Sequence, residues 1–193
     1  MPRGALDFTP KTEVEIKLPL PSAADGRRRL RQAGFRLAKR RVFEQNVLFD
    51  TPAGALRRRG RLLRIRTAGA RTVVTFKGPG KLGKHKIREE IEFEFGGGAG
   101  ALAGILEALG YRPAYRYEKY RTEYALAAGH AMLDETPVGV FLELEGPPRW
   151  IDRAARRLGF READFITASY AELHRRARTG RRDMVFAGAQ GGT

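Results

Sequence analysis

The stretch TEVEIKL, residues 12–18, alternates charged and apolar side chains without a break. Successive side chains on a β-strand point to opposite faces, so Glu13, Glu15 and Lys17 share one face and three aliphatic side chains share the other. This period of two predicts a strand with one continuous charged face and one continuous apolar face.

The same alternation recurs along most of the chain. It predicts further strands near residues 42–50, 61–67, 71–77, 86–95, 115–127, 130–135 and 138–145. Helical periodicity is found near 22–34, 99–109, 148–158 and 168–176, which makes the predicted class α+β. The charged faces of these strands carry Arg64, Arg66, Lys77, Lys86, Arg88, Glu90, Glu92, Lys119, Arg121, Glu143 and Glu145.

These charged faces have two explanations. In the first, an antiparallel sheet turns its polar face to solvent. In the second, the sheet curls so that its apolar face is covered by helices and its charges converge inside, in a wet tunnel where acids and bases pair. The alternation alone favours neither explanation.

Composition narrows the possible functions. The chain has 193 residues, with 37 Lys and Arg against 22 Asp and Glu, and a formal net charge of +15. The absence of cysteine excludes disulfides, thiolate zinc sites and cysteine nucleophiles. No apolar run is long enough to span a bilayer and the N-terminus lacks a signal-peptide core, so we expect a cytoplasmic protein with no membrane-spanning segment. The net charge predicts a polyanionic partner, and composition leaves nucleic acid, an anionic membrane surface and a phosphate-rich small molecule all open.

A charged tunnel of this composition suits phosphate chemistry. Carboxylates two apart on one strand face, such as Glu13 with Glu15, can share Mg²⁺ or Mn²⁺, whose coordination is completed by substrate phosphates. Guanidinium groups bind phosphate oxygens in pairs, and Lys acts as a point charge. A triphosphate chelated to a divalent metal would satisfy both sets of groups.

Six motifs in sequence order resemble the CYTH superfamily, the triphosphate tunnel metalloenzymes, over about residues 12–175. They are E-x-E-x-K at 13–17, FDTP at 49–52 followed by LRIR at 63–66, TFK at 75–77, REE-x-E at 88–92, K-x-R at 119–121 and LELE at 142–145. The superfamily includes class IV adenylate cyclases, thiamine triphosphatases and inorganic triphosphatases.

The resemblance implies an eight-stranded antiparallel β-barrel with a charged lumen, helices outside and Mg²⁺ or Mn²⁺ within. The implied metal ligands are Glu13, Glu15 and Glu145, with Glu143 and Asp134 for a second ion. The implied phosphate-binding residues are Lys17, Arg64, Arg66, Lys77, Arg88, Lys119 and Arg121, of which Arg64, Arg66 and Lys77 are the expected catalytic groups. Glu90 and Glu92 either orient these side chains or bind metal.

Three functions remain open on this resemblance. The first is hydrolysis of inorganic tripolyphosphate or a nucleoside triphosphate. The second is a class IV adenylate cyclase that converts ATP to cyclic AMP and pyrophosphate. The third is a non-catalytic binder of RNA or polyphosphate, which the arginine runs at 27–31, 57–61 and 175–182 keep in consideration. The segment SYAEL at 169–173 resembles bacterial members labelled as cyclases, and we expect it on an outer helix, away from the chemistry.

The boundaries of the domain follow from composition. Residues 1–10 and 177–193 are predicted to be flexible tails around a tunnel domain at 11–176. Within the domain, GPGKLGKH at 78–85 is close to a phosphate-binding P-loop. His85 replaces the required hydroxyl and a charged strand follows in place of a helix, so we expect a basic loop instead.

Overall fold

Eight antiparallel strands close into a barrel. The protein is described by a computed structural model over residues 10–81, 83–178 and 180–188. The strands are β1 (Lys11–Leu20), β2 (Arg36–Asp50), β3 (Leu62–Ala68), β4 (Arg71–Lys77), β5 (Lys86–Glu94), β6 (Arg112–Leu126), β7 (Gly129–Thr136) and β8 (Gly139–Glu145). They pair in the order β1-β5-β4-β3-β2-β6-β7-β8, and β8 pairs again with β1, which confirms the predicted barrel.

The helices are α1 (Ala23–Gln32), α2 (Ala55–Arg58), α3 (Ala99–Ala108), α4 (Pro148–Arg157) and α5 (Tyr170–Arg176). The helix predicted near 22–34 begins where the sequence indicates, because the Ser22 hydroxyl accepts a hydrogen bond from the Asp25 amide at 3.2 Å. Among all the residues that the structure describes, no helix is long and apolar enough to cross a membrane.

One predicted boundary is wrong by six residues. The strand predicted near 42–50 begins at Arg36, within a run of basic residues that shows no alternation. Its first residues pair with the long strand β6, from Arg36 opposite Ala125 to Phe43 opposite Tyr120, with register shifts between them. Backbone pairing with a neighbour therefore extends this strand beyond the segment that side-chain periodicity identifies.

The main apolar core lies outside the barrel. The aliphatic side chains of β1, including Ile16 and Leu18, pack with α1 and α4 around Leu30, Trp150 and Ile151, all of them buried. A second outer core joins β2 and β3 to α3. Because the apolar faces are covered from outside, the charged faces of the strands turn inward.

The packed part of the chain continues past residue 176. Met184 is 1% exposed, and its amide and carbonyl bond to the backbone of Arg116 and Glu118 on β6 at 3.0 and 2.9 Å. Phe186 packs against Phe43 and Tyr120. The segment that we expected to be a flexible tail therefore includes residues docked along the barrel wall; residues 1–9 and 189–193 lie outside the described residues.

The loop at 78–85 is joined to α4. Strand β5 begins at Lys86, directly after the loop, so the helix that a P-loop requires is not found there. Lys84 and His85 contact opposite oxygens of Asp152 at 3.0 and 2.8 Å. The exclusion of a P-loop is confirmed.

Candidate active site

Charged side chains from all eight strands point into the barrel. They line a cavity of about 560 Å³, with twelve Lys and Arg against eight Glu, an excess of four positive charges. The basic residues are Lys11, Lys17, Lys39, Arg40, Arg64, Arg66, Arg71, Lys77, Lys86, Arg88, Lys119 and Arg121, and the acidic residues are Glu13, Glu15, Glu44, Glu90, Glu92, Glu123, Glu143 and Glu145. The structure therefore supports the second explanation of the alternating pattern, in which the charged faces converge inside a closed sheet.

Lys77 joins two glutamates of neighbouring strands. Its Nζ lies 2.6 Å from each carboxylate oxygen of Glu13 on β1 and 3.2 Å from Glu90 on β5. Burial raises the pKa of Glu90, against the opposing effect of Lys77. Glu90 is therefore a lumen carboxylate that takes up a proton more readily than an ordinary glutamate.

A second group surrounds Glu15. Its Oε1 lies 2.9 Å from Lys86 and 3.4 Å from Lys17, and Lys17 also contacts Glu143 at 3.2 Å. Burial alone would raise the pKa of Glu15, but the nearby lysines lower it to about 2. Burial raises the pKa of Glu143, but the charges of Lys17 and Arg121 outweigh this effect and hold the pKa well below its usual range. Both carboxylates are ionised at neutral pH and can act as oxygen ligands or ion-pair partners.

The third group is centred on Asp134, which is fully buried. Its oxygens accept hydrogen bonds from Lys119 at 2.9 Å, from Arg121 at 2.6 and 2.7 Å, and from the Tyr170 hydroxyl at 2.6 Å. Tyr170 is the first residue of α5. The segment expected on an outer helix, away from the chemistry, therefore places one side chain in the charged interior.

Arg64 presents a buried donor without a partner. Its NH1 donates to the Tyr117 hydroxyl at 3.1 Å and its NH2 to Thr75 at 2.9 Å. Its Nε is buried and has no hydrogen-bond partner among the described residues. An unpaired buried guanidinium nitrogen is costly unless a ligand supplies the acceptor.

The other predicted residues also lie along the lumen. Arg66 donates to Asn46 at 3.1 Å and lies 3.5 Å from Glu44. Arg88 donates to the carbonyl of Gly78 at 2.9 and 3.2 Å. Glu145 lies opposite Glu15 in the β1–β8 register and binds Lys11 at 2.7 Å near the end of the barrel.

Sequence reasoning did not single out several residues of the charged interior, among them Glu44, Asn46, Thr75, Tyr117 and Tyr170. The pattern E-x-N at 44–46 was a signal that could have found two of them. It was obscured because valine and leucine flank it on the same face of β2. Burial raises the pKa of Glu44, but the nearby cations outweigh this effect and lower the pKa to about 2. These cations are Lys119, Arg121 and Arg66.

A family comparison agrees with this geometry. The CYTH domain matches residues 11–170, more than four-fifths of the chain. The chain belongs to the CYTH family. The resemblance inferred from the six motifs is thereby confirmed, and the CYTH family is one of enzymes.

Known relatives share the CYTH sequence and fold. The chain is 32% identical, over 135 residues covering 69% of it and 75% of the relative, to a protein of Methanocaldococcus jannaschii with the name "Putative adenylate cyclase MJ0240". A solved structure from Vibrio parahaemolyticus, described as that of a "putative adenylate cyclase", has a TM-score of 0.75 at 20% identity and covers 86% of this chain and 99% of its own.

A plant structure shares the CYTH fold as well. It is described as that of a "putative adenylyl cyclase" from Hippeastrum with "a dominant triphophatase activity", and it has a TM-score of 0.65 at 20% identity over 87% of this chain and 96% of its own. At these identities the two structures establish the fold of this CYTH chain.

The carboxylates of the CYTH lumen are suitable metal ligands without forming a closed metal cage. In residues 10–81, 83–178 and 180–188, no three acidic or histidine side chains converge as a ready-made site. Lysines lie between them, as Lys77 does between Glu13 and Glu90. Mg²⁺ typically takes one or two protein carboxylates and completes its coordination with water and substrate phosphates. The hard, ionised oxygens of Glu15 and Glu143 fit an ion bound in that way.

Proposed function

We propose that this CYTH protein is a divalent-metal-dependent triphosphatase that hydrolyses the terminal phosphoanhydride of tripolyphosphate or a nucleoside triphosphate inside the barrel. The observation that carries the proposal is the lumen's excess of positive charge, together with the buried unpaired Nε of Arg64. A triphosphate supplies both the negative charge and the acceptor oxygens that this interior lacks.

The basic side chains have two tasks. Lys17, Arg88, Lys119 and Arg121 bind the phosphate chain, and Arg64, Arg66 and Lys77 stabilise charge on the phosphoryl group being transferred. The carboxylate oxygens of Asp134 accept hydrogen bonds from Lys119, Arg121 and Tyr170. We therefore assign Asp134 to the positioning of these cations rather than to the metal, for which the sequence had offered it.

The remaining acids are the proposed metal ligands. Glu13, Glu15 and Glu145, with Glu143, would hold Mg²⁺ or Mn²⁺. When bound, the metal neutralises phosphate charge and polarises the phosphorus under attack.

Groups in the lumen can account for each bond and each proton of the hydrolysis step. The oxygen of a water forms a bond to the terminal phosphorus, the bridging P–O bond breaks, and its electron pair goes to the leaving phosphate chain. Glu90, whose pKa burial raises, takes the proton from the water and returns it to solvent. Its environment is better suited to this transfer than that of Glu15, which is held ionised.

Adenylate cyclase is the second candidate, and the 32% identity to a protein that carries that name favours it. In that reaction the ribose 3′-hydroxyl attacks the α-phosphorus and pyrophosphate leaves. The same cations would serve both reactions, because both develop charge on a phosphate chain.

Product analysis separates these functions. Purified protein is incubated with tripolyphosphate or ATP plus Mg²⁺ or Mn²⁺, and orthophosphate, pyrophosphate and cyclic AMP are quantified. Metal-dependent orthophosphate supports the triphosphatase, and cyclic AMP with equimolar pyrophosphate supports the cyclase. No turnover of either substrate with either metal would contradict both.

A variant of one proposed ligand tests the metal site. We expect Glu15→Gln to abolish metal-dependent turnover while circular dichroism reports a folded barrel. Glu107→Gln, an exposed position on α3, is the matched control and should retain activity. Turnover by Glu15→Gln at wild-type rates in saturating Mg²⁺ would remove Glu15 from the ligand set.

A further inference from the structure

Two arginine runs far apart in sequence line one cavity at an end of the barrel. The run at 57–61 contributes Arg57 and Arg61, and the run at 175–182 contributes Arg175, Arg178 and Arg182. The cavity has a volume of about 980 Å³, and we call it the basic vestibule. The proposed triphosphatase chemistry uses neither run.

The basic vestibule opens into the lumen. Lys86 and Arg88 line both cavities, as do Leu62 and Tyr115. Leu62 begins β3 and Lys86 begins β5, and these two strand ends lie at the same end of the antiparallel barrel. The lumen and the vestibule are therefore connected at this mouth, and an extended anion bound in the lumen can reach into the vestibule.

The vestibule carries positive charge that its own acids do not offset. Leaving Arg181 aside, eight Lys and Arg side chains line it against two acids, an excess of six. Asp50 accepts backbone hydrogen bonds from Thr51, Leu56 and Arg57, at 2.8 to 3.0 Å. Glu172 accepts from the amide and the hydroxyl of Ser169, both at 2.7 Å. Both acids are used to shape the local backbone.

The opposite mouth of the barrel differs. There Lys11 binds Glu145, Lys39 binds Glu123 and Arg71 binds Glu94, each at 2.6 or 2.7 Å. These three cations at that rim are neutralised by glutamates. A polyanion that extends beyond the lumen is therefore attracted to the vestibule end.

The vestibule offers little aromatic surface for nucleobases. Among its described lining residues the aromatic rings are those of Phe49 and Tyr115, besides the imidazole of His174. Phe49 is 3% exposed, and the Tyr115 ring packs against Tyr117 and His174. Proteins that hold single-stranded nucleic acid combine basic grooves with exposed rings on which bases stack. The vestibule has the first feature and little of the second, which favours a ligand made of phosphates alone.

We propose that the basic vestibule is a second anion-binding site, which takes the trailing phosphates of a linear inorganic polyphosphate whose leading end lies in the lumen. The inference rests on the proposed triphosphatase for its kinetic test, although the binding itself needs no turnover. A chain presents several linked phosphates, which can contact both arginine runs at once.

Chain length is the variable that tests this site. KM and kcat are measured for tripolyphosphate and for size-fractionated long-chain polyphosphate, with wild type, Arg57→Gln/Arg178→Gln and the control Arg31→Gln/Arg156→Gln. The control residues are exposed on α1 and α4, away from the vestibule. We expect the vestibule variant to raise KM for the long chain about tenfold, since two exposed ion pairs contribute about 1.4 kcal/mol together. Its constants for tripolyphosphate should equal those of wild type and of the control.

Direct binding distinguishes a failure of this inference from a failure of the proposed function. Fluorescence-detected binding of long-chain polyphosphate is measured without metal, over a range of salt concentrations. If tripolyphosphate is not hydrolysed but the vestibule variant weakens this binding and its salt dependence, the vestibule site stands and the triphosphatase falls. Equal affinity of the vestibule variant and the control for the long chain would overturn the vestibule site. Competition by single-stranded RNA as strong as that by polyphosphate would also overturn it, because it would assign the surface to nucleic acid.

Discussion

Replacing Arg64 by lysine tests the proposed phosphate contact while the positive charge is retained. In the structure, NH1 donates to Tyr117 and NH2 to Thr75 and Glu92. The unpaired Nε and the second hydrogen of NH1 are therefore the donors left for a ligand. A lysine ammonium cannot keep these protein partners and also reach the position of Nε, because it lacks the planar fork of the guanidinium.

The expected loss follows from one charged hydrogen bond. Such a bond contributes about 1.5 to 3 kcal/mol, which corresponds to a decrease in kcat/KM of about 10- to 160-fold. The assay is metal-dependent orthophosphate release from tripolyphosphate, with melting temperature as the measure of folding. Arg28→Lys on α1, an exposed arginine outside the lumen, should change neither quantity.

One result would refute this reasoning. If Arg64→Lys keeps the wild-type melting temperature and the wild-type kcat/KM, the Nε of Arg64 does not contact the substrate. The unpaired nitrogen would then be a feature of the ligand-free barrel alone, and the principal support for a triphosphate in this lumen would be lost.

Two further predictions concern the buried charges. Tyr170→Phe removes a 2.6 Å hydrogen bond to the buried Asp134 and should lower the free energy of unfolding by about 1 to 3 kcal/mol in urea titrations; an unchanged midpoint would show that α5 is not anchored by this contact. Glu44 has a pKa lowered to about 2 from 4.5, so the unfolded state binds more protons between these values and stability falls as the pH drops from about 4.5 to 2. The stabilisation lost over this range is about 3 kcal/mol. In a plot of the free energy of unfolding against pH, Glu44→Gln should flatten this part of the curve. Parallel curves for the wild type and the variant would contradict the assignment.

The side-chain alternation allowed much of the lumen to be predicted. Because strand residues alternate between faces, the sequence was sufficient to group Glu13 with Glu15 and Arg64 with Arg66. It did not decide between a solvated sheet and a closed tunnel, since both have the same period. That choice depends on closure between β1 and β8 and on helices that cover the outer face, which are tertiary features.

The ion pairs could not be predicted in the same way. Lys77 meets Glu13 across 64 positions of sequence, and that meeting depends on the order in which strands pair around the barrel. Tyr170 reaches the lumen only because α5 begins close to β6 and β7, so its helical periodicity gave no indication of its contact with Asp134. Met184 likewise docks through its backbone, and that contact leaves no pattern in the side chains.

The central claim is that a metal and a triphosphate meet inside the barrel. Its most direct test is a crystal structure with a non-hydrolysable triphosphate analogue and Mn²⁺, in which anomalous scattering locates the metal. The account predicts an anomalous peak beside Glu13, Glu15 or Glu145, with phosphate oxygens against Arg64 and Lys119. An analogue bound only on the outer surface, with Lys77 still paired to Glu13 and no metal in the lumen, would contradict it.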